Sequence, residues 1–141
     1  MSTQEKARRS KRVAVVGITA TTALVGAFAM PAQASTYTSH LTNVNTDFES
    51  SRWHDNNGGS TTIKFTSCTS TGTKAIGVTL RKDQFGPDPV YTTASYTACF
   101  KSGATSSGTW SDHGSGDYYF VVNYGSNSYD YFSVKSLSVY Y

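Results

Sequence analysis

Beyond residue 34 the chain has no methionine, a single glutamate (Glu49) and only three leucines, Leu41, Leu80 and Leu137. So few strong helix formers argue against a helical fold. One glutamate and a handful of aspartates leave little from which to build the paired carboxylates of a glycosidase. The only cysteines, Cys68 and Cys99, stand too far apart for the paired spacing of a structural zinc site. No Gly-x-Ser-x-Gly elbow occurs, since Gly114-Ser115-Gly116 lacks its spacing, so the usual hydrolase nucleophile is missing too. The chain is therefore read as non-enzymatic, with no catalytic and no metal-ligating residues assigned.

Residues 1–34 read as a bacterial-type secretory signal peptide. Lys6, Arg8, Arg9, Lys11 and Arg12 form a basic start, Val13 to Met30 is apolar or small, and Pro31-Ala32-Gln33-Ala34 ends in a small-x-small cleavage pattern. Lys11 and Arg12 stand where a twin-arginine signal needs apolar residues, which favours the general secretory route. No cysteine follows the cleavage point, which argues against a lipoprotein. The expected product is a secreted, extracellular protein consisting of one domain, residues 35–141.

Removing the leader changes the charge. The whole chain is +3, but five of its twelve basic residues and one of its nine acidic residues precede Ser35. Seven Lys/Arg then face eight Asp/Glu, a net of −1. The basic pI belongs to the leader, no basic stripe is left for phosphates, and nucleic acid is excluded as a partner. No cationic amphipathic segment remains to hold a membrane after cleavage.

What residues 35–141 do contain is hydroxyl and aromatic side chains: 34 serines and threonines, and 18 aromatics that include all ten tyrosines. β-Branched and aromatic residues favour strands. Alternating runs at Tyr37–Val44, Asp47–Trp53, Thr61–Thr69, Lys74–Lys82, Val90–Phe100, Asp117–Tyr124 and Tyr129–Tyr141 predict seven to eight short strands. Ser102–Gly108 is expected to be a polar connection. The fold class is all-β, a small two-sheet β-sandwich of jelly-roll or immunoglobulin-like type. Cys68 and Cys99, in an exported chain, are expected to form one disulfide worth ~3–4 kcal/mol. On alternation alone Cys68 falls on the face opposite Ile63 and Phe65. In the last run Phe132 and Val134 share one parity and Leu137 and Val139 the other, which requires a bulge or bend near Lys135-Ser136.

Two stretches echo each other: Trp53-His54-Asp55-Asn56-Asn57-Gly58-Gly59 and Trp110-Ser111-Asp112-His113-Gly114. Each sets a tryptophan, a histidine and an aspartate against a glycine-rich turn. Asn57-Gly58 suits a type I′ hairpin. Exposed tryptophan faces would stack on sugar rings while Asp, Asn and His bind hydroxyls. Trp53, His54, Asp55, Asn56, Trp110, Asp112 and His113 are therefore the candidate ligand-binding residues, and loops gathered at one end of a sandwich could bring them together. No cofactor is expected. The one ion the composition allows is calcium, held by oxygens of Asp55, Asn56, Asn57, Asp112 and Asp117.

The tyrosines of the last quarter, Tyr118, Tyr119, Tyr124, Tyr129, Tyr131, Tyr140 and Tyr141, suggest a second binding face. In general look, a small disulfide-bonded sandwich ending in alternating aromatic strands is similar to carbohydrate-binding modules, a resemblance of class that no motif carries. The expected function is glycan or cell-wall recognition, or an adaptor role in an extracellular protein complex. The alternative is a secreted protease inhibitor or antimicrobial protein, with Phe85-Gly86-Pro87-Asp88-Pro89 as the stiffest loop to present. A structural coat protein is a third possibility.

Overall fold

The computed structural model describes residues 35–124 and 130–141. Among these described residues nine strands form two antiparallel sheets. The first sheet runs β1 (Thr36–Val44), β9 (Phe132–Tyr140), β4 (Thr61–Ser70), β7 (Thr105–Trp110). The second runs β8 (Gly116–Tyr124), β5 (Ile76–Asp83), β6 (Val90–Tyr96), with the short β2 (Phe48–Glu49) and β3 (Trp53–Asp55) both laid along the free side of β8. The architecture is an all-β sandwich with one disulfide, with nine strands where seven or eight were expected.

The inner faces supply the core. Ile63 and Phe65 of β4, Leu137 and Val139 of β9, Val78 and Leu80 of β5 and Phe120 and Val122 of β8 are all fully buried. Phe65 meets Phe120 and Tyr96 edge-on across the gap between sheets, ring centroids 5.7 and 4.9 Å apart, the arrangement that ring quadrupoles favour. The Tyr118–Val122 run is covered on both faces, as its continuous apolar character requires.

Three expectations are corrected. Asp47–Trp53 is two strands rather than one: the Ser50 amide donates to the Phe120 carbonyl, but the Phe120 amide donates to the Ser50 hydroxyl, so the ladder is broken between β2 and β3. The run from Val90 stops at Tyr96, and Cys99 sits in a short 3₁₀ turn, Ala98–Phe100. The expected connection Ser102–Gly108 instead runs into a strand from Thr105, β7 (Thr105–Trp110), with Ser106, Gly108 and Trp110 turned inward. Serine and glycine hide this strand from any hydrophobic pattern. The expected turn at Gly125–Ser128 lies outside the described residues, as does Tyr129.

The required bend is present. Ser67 adopts a left-handed φ of 57°, and β4 and β9 change parity together there, keeping register from Phe65–Leu137 to Cys68–Val134. Cys68 is thereby turned into the core, on the same side as Phe65 and not opposite it. It bonds Cys99 there. β1 does not follow this bend. Its pairing with β9 slips between Ser39 and Leu41 and again before Val44, where Asn43 has φ 50°. Each irregularity places one extra residue in one strand.

Candidate functional site

The two Trp/His/Asp stretches are neighbouring corners of the sandwich. Asp55 of β3 pairs with Gly116 of β8 in one sheet, and Thr61 of β4 pairs with Trp110 of β7 in the other. Residues 56–60 and 111–115 therefore cross between the same two sheets at the same end. A Cβ on Gly58 would lie 2.8 Å from Asp112 Oδ1 and 3.3 Å from the Gly114 backbone, so the two loops touch.

The chain does not make the expected hairpin at Asn57-Gly58. Gly58 has φ 71°, but Asn57 keeps a negative φ, and β3 and β4 belong to different sheets. Asp55 builds the corner instead. It is buried, and its Oδ1 accepts the amides of Asn57 and Gly58 at 3.1 and 2.9 Å, an aspartate-closed turn. Asp112 does the same in the second loop, accepting the Gly114 amide at 2.7 Å. That bond, followed by one from the Gly59 amide, holds the Asp112 carboxyl below its ordinary range. Lys82 reaches the His113 carbonyl at 2.8 Å, and the Tyr118 hydroxyl donates to the Gly114 carbonyl.

Both tryptophans lie inside this frame. Trp53 is 5% exposed, packed among Tyr37, Tyr118, Phe120 and Tyr141. Trp110 is 3% exposed, and its Nε1 donates to the Thr92 carbonyl at 2.6 Å, tying β7 to β6 across the two sheets. Neither offers an indole face to solvent, so stacking of sugar on Trp53 or Trp110 is corrected. Inward alternation on β3 and β7 decided their side, and the polar neighbours in sequence are the outward partners of that alternation.

Of the other candidates, His54 and Asn56 are exposed and Asp55 is committed to its turn. His54 Nδ1 lies 2.6 Å from Asp117 Oδ1, a pair more than half exposed on both sides. His113 stacks flat on Tyr91, ring centroids 3.6 Å apart and planes within 8°. These two rings border an open cleft of about 470 Å³ between β6 and β7, whose walls also carry Thr92, Thr109 and Ser111. Among the described residues no three His, Cys, Asp or Glu side chains are grouped to hold a metal ion.

The tyrosines are mostly core. Tyr96, Tyr118, Tyr119 and Tyr124 are buried, Tyr37, Tyr91, Tyr140 and Tyr141 half-buried, and Tyr131 stands 43% exposed. A tyrosine-rich binding face does not form from Tyr118, Tyr119 and Tyr124.

The residue that does stand out is Phe85, fully exposed on the β5–β6 loop with Val90 exposed at its base. The loop beneath it is fixed. The Gln84 amide and the Tyr119 hydroxyl both donate to Asp88, at 3.1 and 2.7 Å, and the Lys82 amide donates to the Pro89 carbonyl. The Tyr119 bond first, then the Gln84 amide, holds the Asp88 carboxyl below its ordinary range. Arg52 lies over the Tyr119 ring at 4.2 Å and bonds Asp83 at 2.9 Å, so the loop's first strand is tied as well. Sequence reasoning marked this loop as stiff because of Pro87 and Pro89. The presentation of Phe85 had no signal in periodicity, because a loop has none.

No helix among the described residues is long and apolar enough to cross a membrane. The Cys68–Cys99 disulfide is consistent with an extracellular protein. No protein-family model, no curated protein and no solved structure matches the chain.

Proposed function

We propose that this is a secreted, non-enzymatic binding protein that docks a protein partner through the Gln84–Val90 loop, with Phe85 as the anchor. The supporting observation is the full exposure of Phe85 on a loop whose backbone is held at Gln84, Asp88 and Pro89. Leaving a phenylalanine in water forgoes ~1.5–3 kcal/mol of burial. A loop already ordered loses little further entropy when a partner closes over it. Aromatic anchors of this kind carry a large share of interface energy.

A second reading keeps glycan recognition and moves it from the tryptophans to the β6–β7 cleft. There the stacked Tyr91–His113 pair and the hydroxyls of Thr92, Thr109 and Ser111 offer an aromatic surface beside polar partners. The two readings separate in one retention experiment using immobilised oxidised protein, extracellular proteins and insoluble polysaccharides. Protein binding lost in Phe85→Ala at an unchanged melting temperature supports the loop. Polysaccharide binding that survives Phe85→Ala and disappears in Tyr91→Ala supports the cleft. Retention unaffected by either substitution rejects both.

A further inference from the structure

Three properties of the Gln84–Val90 loop narrow the kind of protein it fits. The first is that its knob is single. Phe85 is fully exposed, and the rest of the tip is Gln84, Gly86 and Pro87, with no second aromatic. One isolated ring calls for one deep pocket, not a flat apolar patch. The second is that the tip stands clear of the body and carries no charge. A Cβ on Gly86 would meet nothing within 4 Å. Asp88, the loop's only ionised residue, turns one carboxylate oxygen to the Gln84 amide and the other to the Tyr119 hydroxyl, and Arg52 and Arg81 offset its charge. The third is that the chain is braced on both sides of one peptide bond, Phe85–Gly86. Before that bond, the Gln84 amide donates to Asp88 Oδ1 at 3.1 Å and Gln84 Nε2 to the Pro87 carbonyl at 3.4 Å, so the two arms are tied across it. The Tyr119 hydroxyl and the Lys82 amide then fasten the arm after the bond, at Asp88 and Pro89, to the second sheet. Gly86 turns the chain with a φ of 100°, and while the brace holds, that arm does not straighten.

We infer that the partner of the Phe85 loop is an endopeptidase whose primary specificity pocket takes an aromatic side chain, and that the loop inhibits it. This rests on the loop-docking function proposed above and names its partner. Such an enzyme reads its substrate as an extended strand, with main-chain bonds along it and a pocket for the side chain before the cleaved bond. Phe85 supplies that side chain, uncharged and alone. The braced turn withholds the extended arm that cleavage needs on the far side of the bond, so the loop fills the cleft without being cut. A convex loop that is already ordered also enters a concave cleft with little loss of freedom. Complexes between proteases and preorganised inhibitors form in this way, with little backbone movement, and are among the tightest known.

The test uses the full chain expressed with its own leader and purified with its disulfide formed. It is titrated against chymotrypsin, whose primary pocket is apolar, and trypsin, whose pocket ends in an aspartate. The expected result is inhibition of chymotrypsin and not of trypsin, with the inhibitor still intact by mass spectrometry after prolonged incubation. Phe85→Ala should weaken that inhibition at least about 30-fold. Phe85→Lys is the decisive variant and should reverse the preference, losing chymotrypsin and gaining trypsin. Because Phe85 is fully exposed, both variants should melt with the parent, so a reversal cannot come from misfolding. Asp88→Ala releases the brace and should make the loop a substrate. Water then adds across the Phe85–Gly86 amide, leaving a carboxylate on Phe85 and an amine on Gly86. A parent that inhibits neither enzyme, a parent cut after Phe85, or a Phe85→Lys variant with unchanged preference overturns the inference. The loop-docking function then stands or falls separately, on Phe85-dependent retention of another protein.

Discussion

Gly108 sits in the middle of β7 with its hydrogens pointing into the core, and replacing it with alanine sets two effects against each other. Gly→Ala at a site where the backbone tolerates a side chain stabilises by about 0.4–1 kcal/mol through the unfolded chain, and Gly108 is not among the positive-φ residues. Against this, the added Cβ would lie 2.8 Å from Ala94 Cβ, 2.8 Å from Trp110 Cη2 and 2.9 Å from the Tyr96 hydroxyl. None of the three can swing away. Ala94 Cβ moves only with its backbone, Trp110 is held by Thr92 and Tyr96 by the Ile63 carbonyl at 2.6 Å. Overpacking of this kind costs ~1–3 kcal/mol, and three simultaneous close approaches place it at the upper end. The expected net is a loss of about 2 kcal/mol, with the melting temperature down by roughly 10 °C. Urea titration followed by tryptophan fluorescence reads it as a lower midpoint at constant m. In a Tyr96→Phe background one of the three obstacles is gone. The double variant should then be more stable than the sum of the single losses predicts, by about 0.5–1 kcal/mol. A neutral or stabilised Gly108→Ala, or strict additivity with Tyr96→Phe, would refute the packing argument.

Trp53→Ala and Trp110→Ala should each cost ~3–5 kcal/mol in denaturant titrations, as for any buried large aromatic, and a loss under 1 kcal/mol would return them to the surface. Opening the Cys68–Cys99 bridge by a double Cys→Ser substitution frees a loop of sequence separation 31 and should cost ~3–4 kcal/mol, read from the unfolding midpoint of the reduced-equivalent protein. Burial pushes the Tyr96 hydroxyl well above its ordinary value of 10.0. Its stabilising effect is therefore complete below pH 10 and declines as pH rises further toward the folded value. The melting temperature should fall above pH 10, and less steeply in Tyr96→Phe. An identical alkaline profile in both proteins would contradict this.

The sandwich was legible because strand alternation and inward-facing branched and aromatic residues are written directly in β4, β5 and β8. The parity change in the last strand announced its bend. Where the polar neighbours of a tryptophan suggested display, alternation in fact pointed the ring inward, because His54 and Thr109 are simply the outward members of their strands. β7 was hidden by its composition, since Gly108 faces the core where the Tyr96 and Trp110 side chains leave no room for a Cβ, and Ser106 faces it to accept the Cys99 amide. Nor could spacing show that Asp55 and Asp112 close two touching corners. Adjacency there follows from sheet pairing, a long-range property. Asn57-Gly58 was misread for the same reason, since the strands it joins never pair with each other.

The displaced rows at His40–Asn43, Ser67 and Lys135–Ser136 set where this chain can change in length. Deleting Thr66 or Ser67 from β4 would turn Cys68 outward and take it from Cys99. The same loss in β9 would exchange Val134 for Lys135 in the core. Only a matched loss in both strands preserves the pattern, and β1 would then have to move its own extra residue to stay in step. Length variation among descendants of this sequence should therefore be nearly absent from the middle of the first sheet.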